Sequence, residues 1–400
     1  SLIMLPWTLK FLWSPFLEMF KTKKFFVVFT QIASGVGFGL VALSLQLPHF
    51  FACSIALLAV IAFSGATHDI ATDGVYMTEL SKSDQAKYIG WQGAFYNIAK
   101  IVASGGLVYL AGWLVKRFGG VEGASGEVVY EANVHAWMIV MFVMAIVMIS
   151  LGLYHTRMLP SGGAATSEAT SFKETFDKLV EVILDFFKKK HIWYYIAFII
   201  LYRFAEGFVM KIVPLFLKAG REIGGLGLSE QEIGIYYGTY GAAAFVLGSL
   251  LAGYYISHRG LKKTLFSLCC TFNLPFIAYT LLAIYQPTSG MLIGGAIVLE
   301  YFGYGFGFVG LTLFMMQQVA PGKHQMAHYA FASGIMNLRV MLPGMVSGFV
   351  SDWLGYRDFF IFILFATIPA FLITYFVPFT YPDTLSLIHI SEPTRQAEIS

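Results

Sequence analysis

His68, Asp69 and Asp73 lie in the stretch GATHDIATDG, inside an apolar run longer than a bilayer is thick. At i,i+4 the two aspartates share one helix face, which Ala66, Thr72 and Tyr76 extend. His68 sits about 100° round from Asp69, stacked with Thr72. Two close carboxylates and an imidazole form a cluster that can take up and release a proton in the physiological range. A charge at mid-bilayer costs roughly 2.5–3.5 kcal/mol against a gain of about 0.3–0.6 kcal/mol per Leu or Phe. Such residues must therefore face a wet or paired interior. The alternative is that they only cap backbone or pair with basic residues, holding helices together.

Other charges recur at similar depth. In ILYRFAEGFVMK, Arg203 and Glu206 stand at i,i+3, with Lys211 a turn and a half on. A structural self-pair is the plain alternative for these two. Lys10, Lys100, Glu300 and Arg339 complete the set, each from a different helix. Basic side chains lining one cavity suit an anionic or carboxylate-bearing substrate. The expected proton-coupling residues are Asp69, Asp73 and Glu206. The expected substrate contacts are Lys10, His68, Asn97, Lys100, Arg203, Glu300 and Arg339. Around Glu300, EYFGYGFGFVG brings Gly303, Gly305, Gly307 and Gly310 together, which predicts close helix approach. Cys53, Cys269 and Cys270 show neither metal-ligand spacing nor a disulfide framework, and no cofactor is expected.

These residues need helices to hold them. Of 400 residues, 57% are hydrophobic and only 12% charged, against about 25% charged in soluble domains. The chain reads as an all-α polytopic membrane protein. Eleven spans are expected, at 1–19, 24–46, 49–80, 87–115, 134–156, 191–217, 231–256, 262–285, 289–319, 325–352 and 358–379. A polar segment separates the fifth from the sixth, and its FKETFDKLVEVILDFFKKK predicts a surface helix. The expected organisation is an N-terminal transmembrane half over 1–156, a central loop over 157–190, a C-terminal half over 191–383 and a tail over 384–400. That tail, TLSLIHISEPTRQAEIS, resembles translated sequencing adapter. Fifteen basic residues in one set of loops against five in the other put the central loop in the cytoplasm. A net charge of +3 is too small to suggest a nucleic-acid partner.

A repeat is legible at an offset of 240, where Asn97, Trp113, Leu114 and Arg117 match Asn337, Trp353, Leu354 and Arg357. Lys100 and Arg339 are one position out of register. The pairing implies two six-helix halves with the first helix missing before Ser1. GYYISHRGLKK (Gly253–Lys263) and GFVSDWLGYR (Gly348–Arg357) resemble the G-x-x-x-D-R-x-G-R loop of the major facilitator superfamily, with Ser257 where Asp is usual. The expected architecture is the major facilitator fold.

LPWTLKFLWSP (Leu5–Pro15), SGATHDIATD (Ser64–Asp73), LYRFAEGF (Leu201–Phe208) and LEYFGYGFG (Leu299–Gly307) resemble segments of AmpG-type muropeptide permeases. The likeness runs from Ser1 to about Phe379. It implies a bacterial inner-membrane carrier that imports anhydro-muropeptides in a proton-dependent way. On that likeness Lys10, both aspartates, Arg203 with Glu206, Glu300 and the run Arg339–Gly344 fall on motif positions. His68 departs, replacing a glutamine. The resemblance implies a monomer in the lipid bilayer, with protons and a small glycopeptide as partners. A facilitator for a sugar, an oligosaccharide or a nucleotide-like anion is the alternative. An integral membrane enzyme is disfavoured by the lack of H-E-x-x-H, G-x-S-x-G or a P-loop.

Overall fold

In a computed structural model, the described residues are 5–163 and 172–382. The expected tail from Thr384 lies outside them. Among the described residues the chain is helical, with no strand. Its first half holds α1 (Leu5–Leu9), α2 (Ser14–Met19), α3 (Lys23–Ser44), α4 (Phe50–Glu79), α5 (Lys82–Ile101), α6 (Leu107–Arg117) and α7 (Gly126–Met158). Then come α8 (Phe172–Phe187), α9 (Ile192–Leu201), α10 (Phe204–Lys218), α11 (Glu230–Ile233) and α12 (Gly241–Arg259). The chain continues through α13 (Leu261–Asn273), α14 (Phe276–Tyr285), α15 (Gly290–Phe314), α16 (Gln325–Ala366) and α17 (Ile368–Tyr375).

Seven helical stretches among the described residues are long and apolar enough to cross a membrane, so the protein is a multi-pass membrane protein. The last, Gln325–Tyr375, covers two of the expected spans and is kinked at Gly355. Two expected spans, 1–19 and 191–217, fall on broken helices, and 87–115 runs as one helix through a π turn. A basic residue stands at each break and before the π turn. Lys10 opens the 3-10 turn Lys10–Leu12 between α1 and α2. Lys100 precedes a π turn, Val102–Gly106, between α5 and α6. Arg203 leaves helical geometry (φ −122°, ψ 25°) between α9 and α10. Discontinuous helices are tolerated at membrane depth where they line a cavity or bury in protein, and π turns recur at functional sites.

The two loops likened above share a device. Gly260 and Gly355, each seven residues after the first glycine of its stretch, have φ 82° and 73° with ψ 151° and 164°. Only glycine adopts that conformation readily, and at both positions it ends one helix and starts the next.

The chain forms two compact units. The first gathers Ser1–Glu79, Ile98–Val182 and His324–Phe331. In it α3 packs against both α4 and α7. Ser34 Oγ donates to Ser64 Oγ (2.8 Å), which donates to the Thr30 carbonyl (2.9 Å). The start of α16 is capped by Glu18, whose Oε2 accepts from the Ala327 amide at 2.9 Å, a carboxylate at a helix N-terminus. Lys23 Nζ and Glu79 Oε1 hold the two sides of the Gly162 backbone, each at 2.7 Å.

The second unit gathers Leu80–Asn97, Ile183–Lys323 and Ala332–Ser400. Its core joins Phe208, Ile212 and Phe216 of α10 to Phe272 of α13, Phe276 and Tyr279 of α14, Ile297 of α15 and Phe360 of α16. Lipid is as apolar as leucine, so helix association here rests on close packing rather than on escape from water. The α15 glycines supply it. A Cβ at Gly303 or Gly305 would run into the carbonyls of Thr271 or Phe245, and one at Gly307 into the Phe272 side chain. The expected close approach is realised against α12 and α13.

Candidate functional site

The residues singled out in sequence form two charged clusters, one in each unit. In the first, the tryptophans of the opening segment seat it on α4. Trp13 Nε1 donates to Thr67 Oγ1 at 3.1 Å, and Leu17 packs in a small core with Ile70, Met326 and Ala330. That docking brings Lys10, at the helix break, onto Asp69. Its Nζ donates to Oδ2 at 2.6 Å. The pair is lopsided, because the Lys10 side chain is 4% exposed and that of Asp69 43%.

Asp73, one turn on, is buried. Tyr329 of α16, also buried, lies beside both aspartates. Thr72 Oγ1 approaches His68 Nδ1 (3.5 Å) and donates to its carbonyl (2.8 Å), while the buried His68 Nε2 has no hydrogen-bond partner. The imidazole of His155 stands close to that of His68 and meets Gln31 Oε1 through Nδ1 at 2.9 Å.

In the second unit Arg203 and Glu206 form a two-pronged pair, Nε to Oε2 at 2.6 Å and Nη2 to Oε1 at 2.5 Å, with both side chains buried. The rings of Phe272, Tyr304 and Phe308 lie 4.8–5.2 Å from the guanidinium carbon. A planar, weakly hydrated cation suits this setting better than an ammonium would. Glu300, 9% exposed, accepts one hydrogen bond, from Tyr279 Oη at 3.3 Å, and among the described residues has no cation paired with it.

Asn97 donates to the Gly93 carbonyl of its own helix (3.0 Å), and Lys100 is exposed. Arg339 lies on α16, with its side chain outside those described. Sequence reasoning missed Tyr279 and the three rings around Arg203. Tyr304 and Phe308, four apart in EYFGYGFGFVG, carried the only available signal.

Each cluster counts one cation and two carboxyls: Lys10 with Asp69 and Asp73, and Arg203 with Glu206 and Glu300. Buried ionisable groups on broken helices within a polytopic helical protein define a membrane carrier.

The comparisons specify which kind. The chain belongs to the Major Facilitator Superfamily, which it matches over residues 2–338. It is 23% identical to the anhydromuropeptide permease of Escherichia coli K12 over 93% of this chain and 70% of that one. It is 24% identical to an uncharacterised protein of Haemophilus influenzae over 94% and 84% of the two chains. These similarities bear out the likeness to AmpG-type permeases. Among solved structures, the E. coli fucose:proton symporter FucP aligns with a TM-score of 0.64 at 13% identity over 94% and 93% of the chains. A bacterial homologue of ferroportin aligns at 0.59 and 14% identity over 94% and 89%. They share the major facilitator fold.

Proposed function

We propose that this protein imports anhydro-muropeptide-like glycopeptides across the bacterial inner membrane by proton symport. One observation carries the reading. The two segments most like AmpG-type permeases, Leu5–Pro15 and Ser64–Asp73, are far apart in sequence, yet they meet at the Lys10–Asp69 pair. The residues that carry the likeness therefore make a built intramembrane contact in this chain. The match along 93% of the chain to the E. coli anhydromuropeptide permease supports the cargo class.

In this reading the basic residues, Lys10, Lys100 and Arg339 among them, meet peptide or muramyl carboxylates. Asp69, Asp73 and the Arg203–Glu206 pair hold the charge balance that a proton alters. Alternation of access between the two sides of the membrane carries the substrate through. The domain boundaries expected from sequence and the cytoplasmic central loop belong to the same reading. His68, where the resemblance has glutamine, favours a second one, a facilitator of this fold for another polar anion.

The test is uptake of labelled anhydro-muropeptide by cells lacking their own importer, with and without a proton uncoupler, beside Asp69→Asn and Asp73→Asn. Uptake that collapses with the uncoupler and with at least one substitution supports the proposal. Well-inserted protein that gives no uptake rules out this cargo.

A further inference from the structure

Within the second unit the ionisable groups near Glu300 are few and come from distinct elements. Tyr279 of α14 donates to its carboxyl. Glu206 of α10, held in two prongs by Arg203, stands near enough to be felt electrostatically. Tyr237, in the turn before α12, and Tyr301, on α15 itself, complete the ring. One turn of α15 back, Ile297 is fully buried, as is Ile293 two turns back. Glu206 takes both prongs of the Arg203 fork, and Glu300 stands outside that pair.

A planar fork engaged twice is satisfied, and a change of protonation at Glu206 would break it. Glu300 can change protonation without breaking any ion pair. As a carboxylate it is an uncompensated charge in an apolar core, and binding one proton removes that charge.

We infer that Glu300 is the proton-carrying group of the second unit, with the Arg203–Glu206 pair as its fixed electrostatic background. This rests on the proton-symport reading and moves the coupling role from Glu206 to its neighbour. The step is a plain proton transfer. The carboxylate takes one proton from water on the loading side and returns it on the other, its charge passing from −1 to 0 and back. Tyr279 positions the accepting oxygen.

Two measurements on the full chain separate this inference from the cargo assignment. The first needs no substrate: infrared difference spectra of the protein in liposomes, recorded as pH is stepped. A carboxylic-acid C=O band that titrates in the wild type and vanishes in Glu300→Gln is expected. An unchanged band in that variant overturns the inference whatever the cargo. The second is transport of labelled anhydro-muropeptide in the same liposomes. Glu300→Gln should lose accumulation driven by a pH gradient while still exchanging internal for external substrate, and Glu300→Asp should restore accumulation. Full gradient-driven accumulation by Glu300→Gln overturns the assignment. Wild-type protein that titrates the band yet moves no muropeptide sinks the cargo alone and leaves Glu300 supported. If Glu300→Gln does not insert, Tyr279→Phe takes its place. A displaced titration midpoint supports the inference, and an unmoved one overturns it.

Discussion

At the scale of single residues, the Lys10–Asp69 pair predicts an asymmetry. The lysine is almost fully buried and the aspartate is half in the open, so removing one is not equivalent to removing the other. Asp69→Asn takes from a buried ammonium the carboxylate that hydrogen-bonds it, leaving Asp73 as its neighbouring charge, and should cost about 3 kcal/mol, the low end for breaking a buried pair from one side. Lys10→Met leaves a carboxylate that water can reach, and should cost nearer 1–3 kcal/mol. The double variant should be more stable than Asp69→Asn alone. Thermal unfolding of the purified protein in detergent reads all three, and equal losses from the two single changes would refute the lopsided burial. The charged residues themselves were legible because charge is rare in apolar runs. The i,i+3 spacing also announced the Arg203–Glu206 pair, since one helical turn brings such residues together. Lys10 meeting Asp69 was not legible. Their 59-residue separation follows from how α1 and α2 dock on α4, and no local period records that.

At the scale of elements, α15 shows what glycine spacing does and where it stops mattering. Gly305→Ala places a methyl against the Phe245 carbonyl, a backbone atom that cannot swing aside, so α12 and α15 must part. Overpacking of this kind costs about 1–3 kcal/mol. Gly295→Ala on the same helix meets nothing within 4 Å and should be neutral, or stabilising by about 0.5–1 kcal/mol through helix propensity. Unfolding midpoints of the two variants check the contrast, and similar losses in both would refute the packing account. A second tie sits at the end of a membrane span. Lys189, in the link from α8 to α9, donates to the carbonyls of Val319, Ala320 and Pro321 at 2.6–3.1 Å. Burial pushes its amine down to about 8, with Asp185 opposing. From about pH 8 up to the 10.5 of a free lysine, the unfolded chain keeps a proton that the folded one has released. This group's contribution to stability therefore rises with pH across that window, and Lys189→Met should flatten the rise in unfolding midpoints taken from pH 7.5 upward. Helix type and most spans were legible from hydropathy. The breaks at Lys10 and Arg203 were not, because an apolar window reads the same whether the helix inside it is continuous or interrupted.

At the scale of the whole molecule, orientation decides which face of the carrier meets each side of the membrane, and charge asymmetry is the sequence signal that addresses it. Basic loops stay on the side where the chain is inserted, because moving them across the membrane is costly. Lys190 follows α8 on the side expected to be cytoplasmic, and Glu222 occupies an exposed turn, Arg221–Ile223, on the other. The test starts from a variant in which Cys53, Cys269 and Cys270 are replaced. Cys269 should be replaced by serine, since its buried sulfur lies among polar groups, 3.4 Å from Thr374 Oγ1, 3.5 Å from Asn273 Nδ2 and 3.6 Å from the Ala370 carbonyl. A single cysteine is then placed at either site and challenged with a membrane-impermeant maleimide on intact spheroplasts. Glu222→Cys should label at once, and Lys190→Cys only after the membrane is opened. The reverse pattern would place the central loop outside and refute the cytoplasmic loop expected from the basic residues. Labelling of both sites in intact spheroplasts would mean a mixed topology, in which fifteen basic residues against five do not suffice to set the inserted direction.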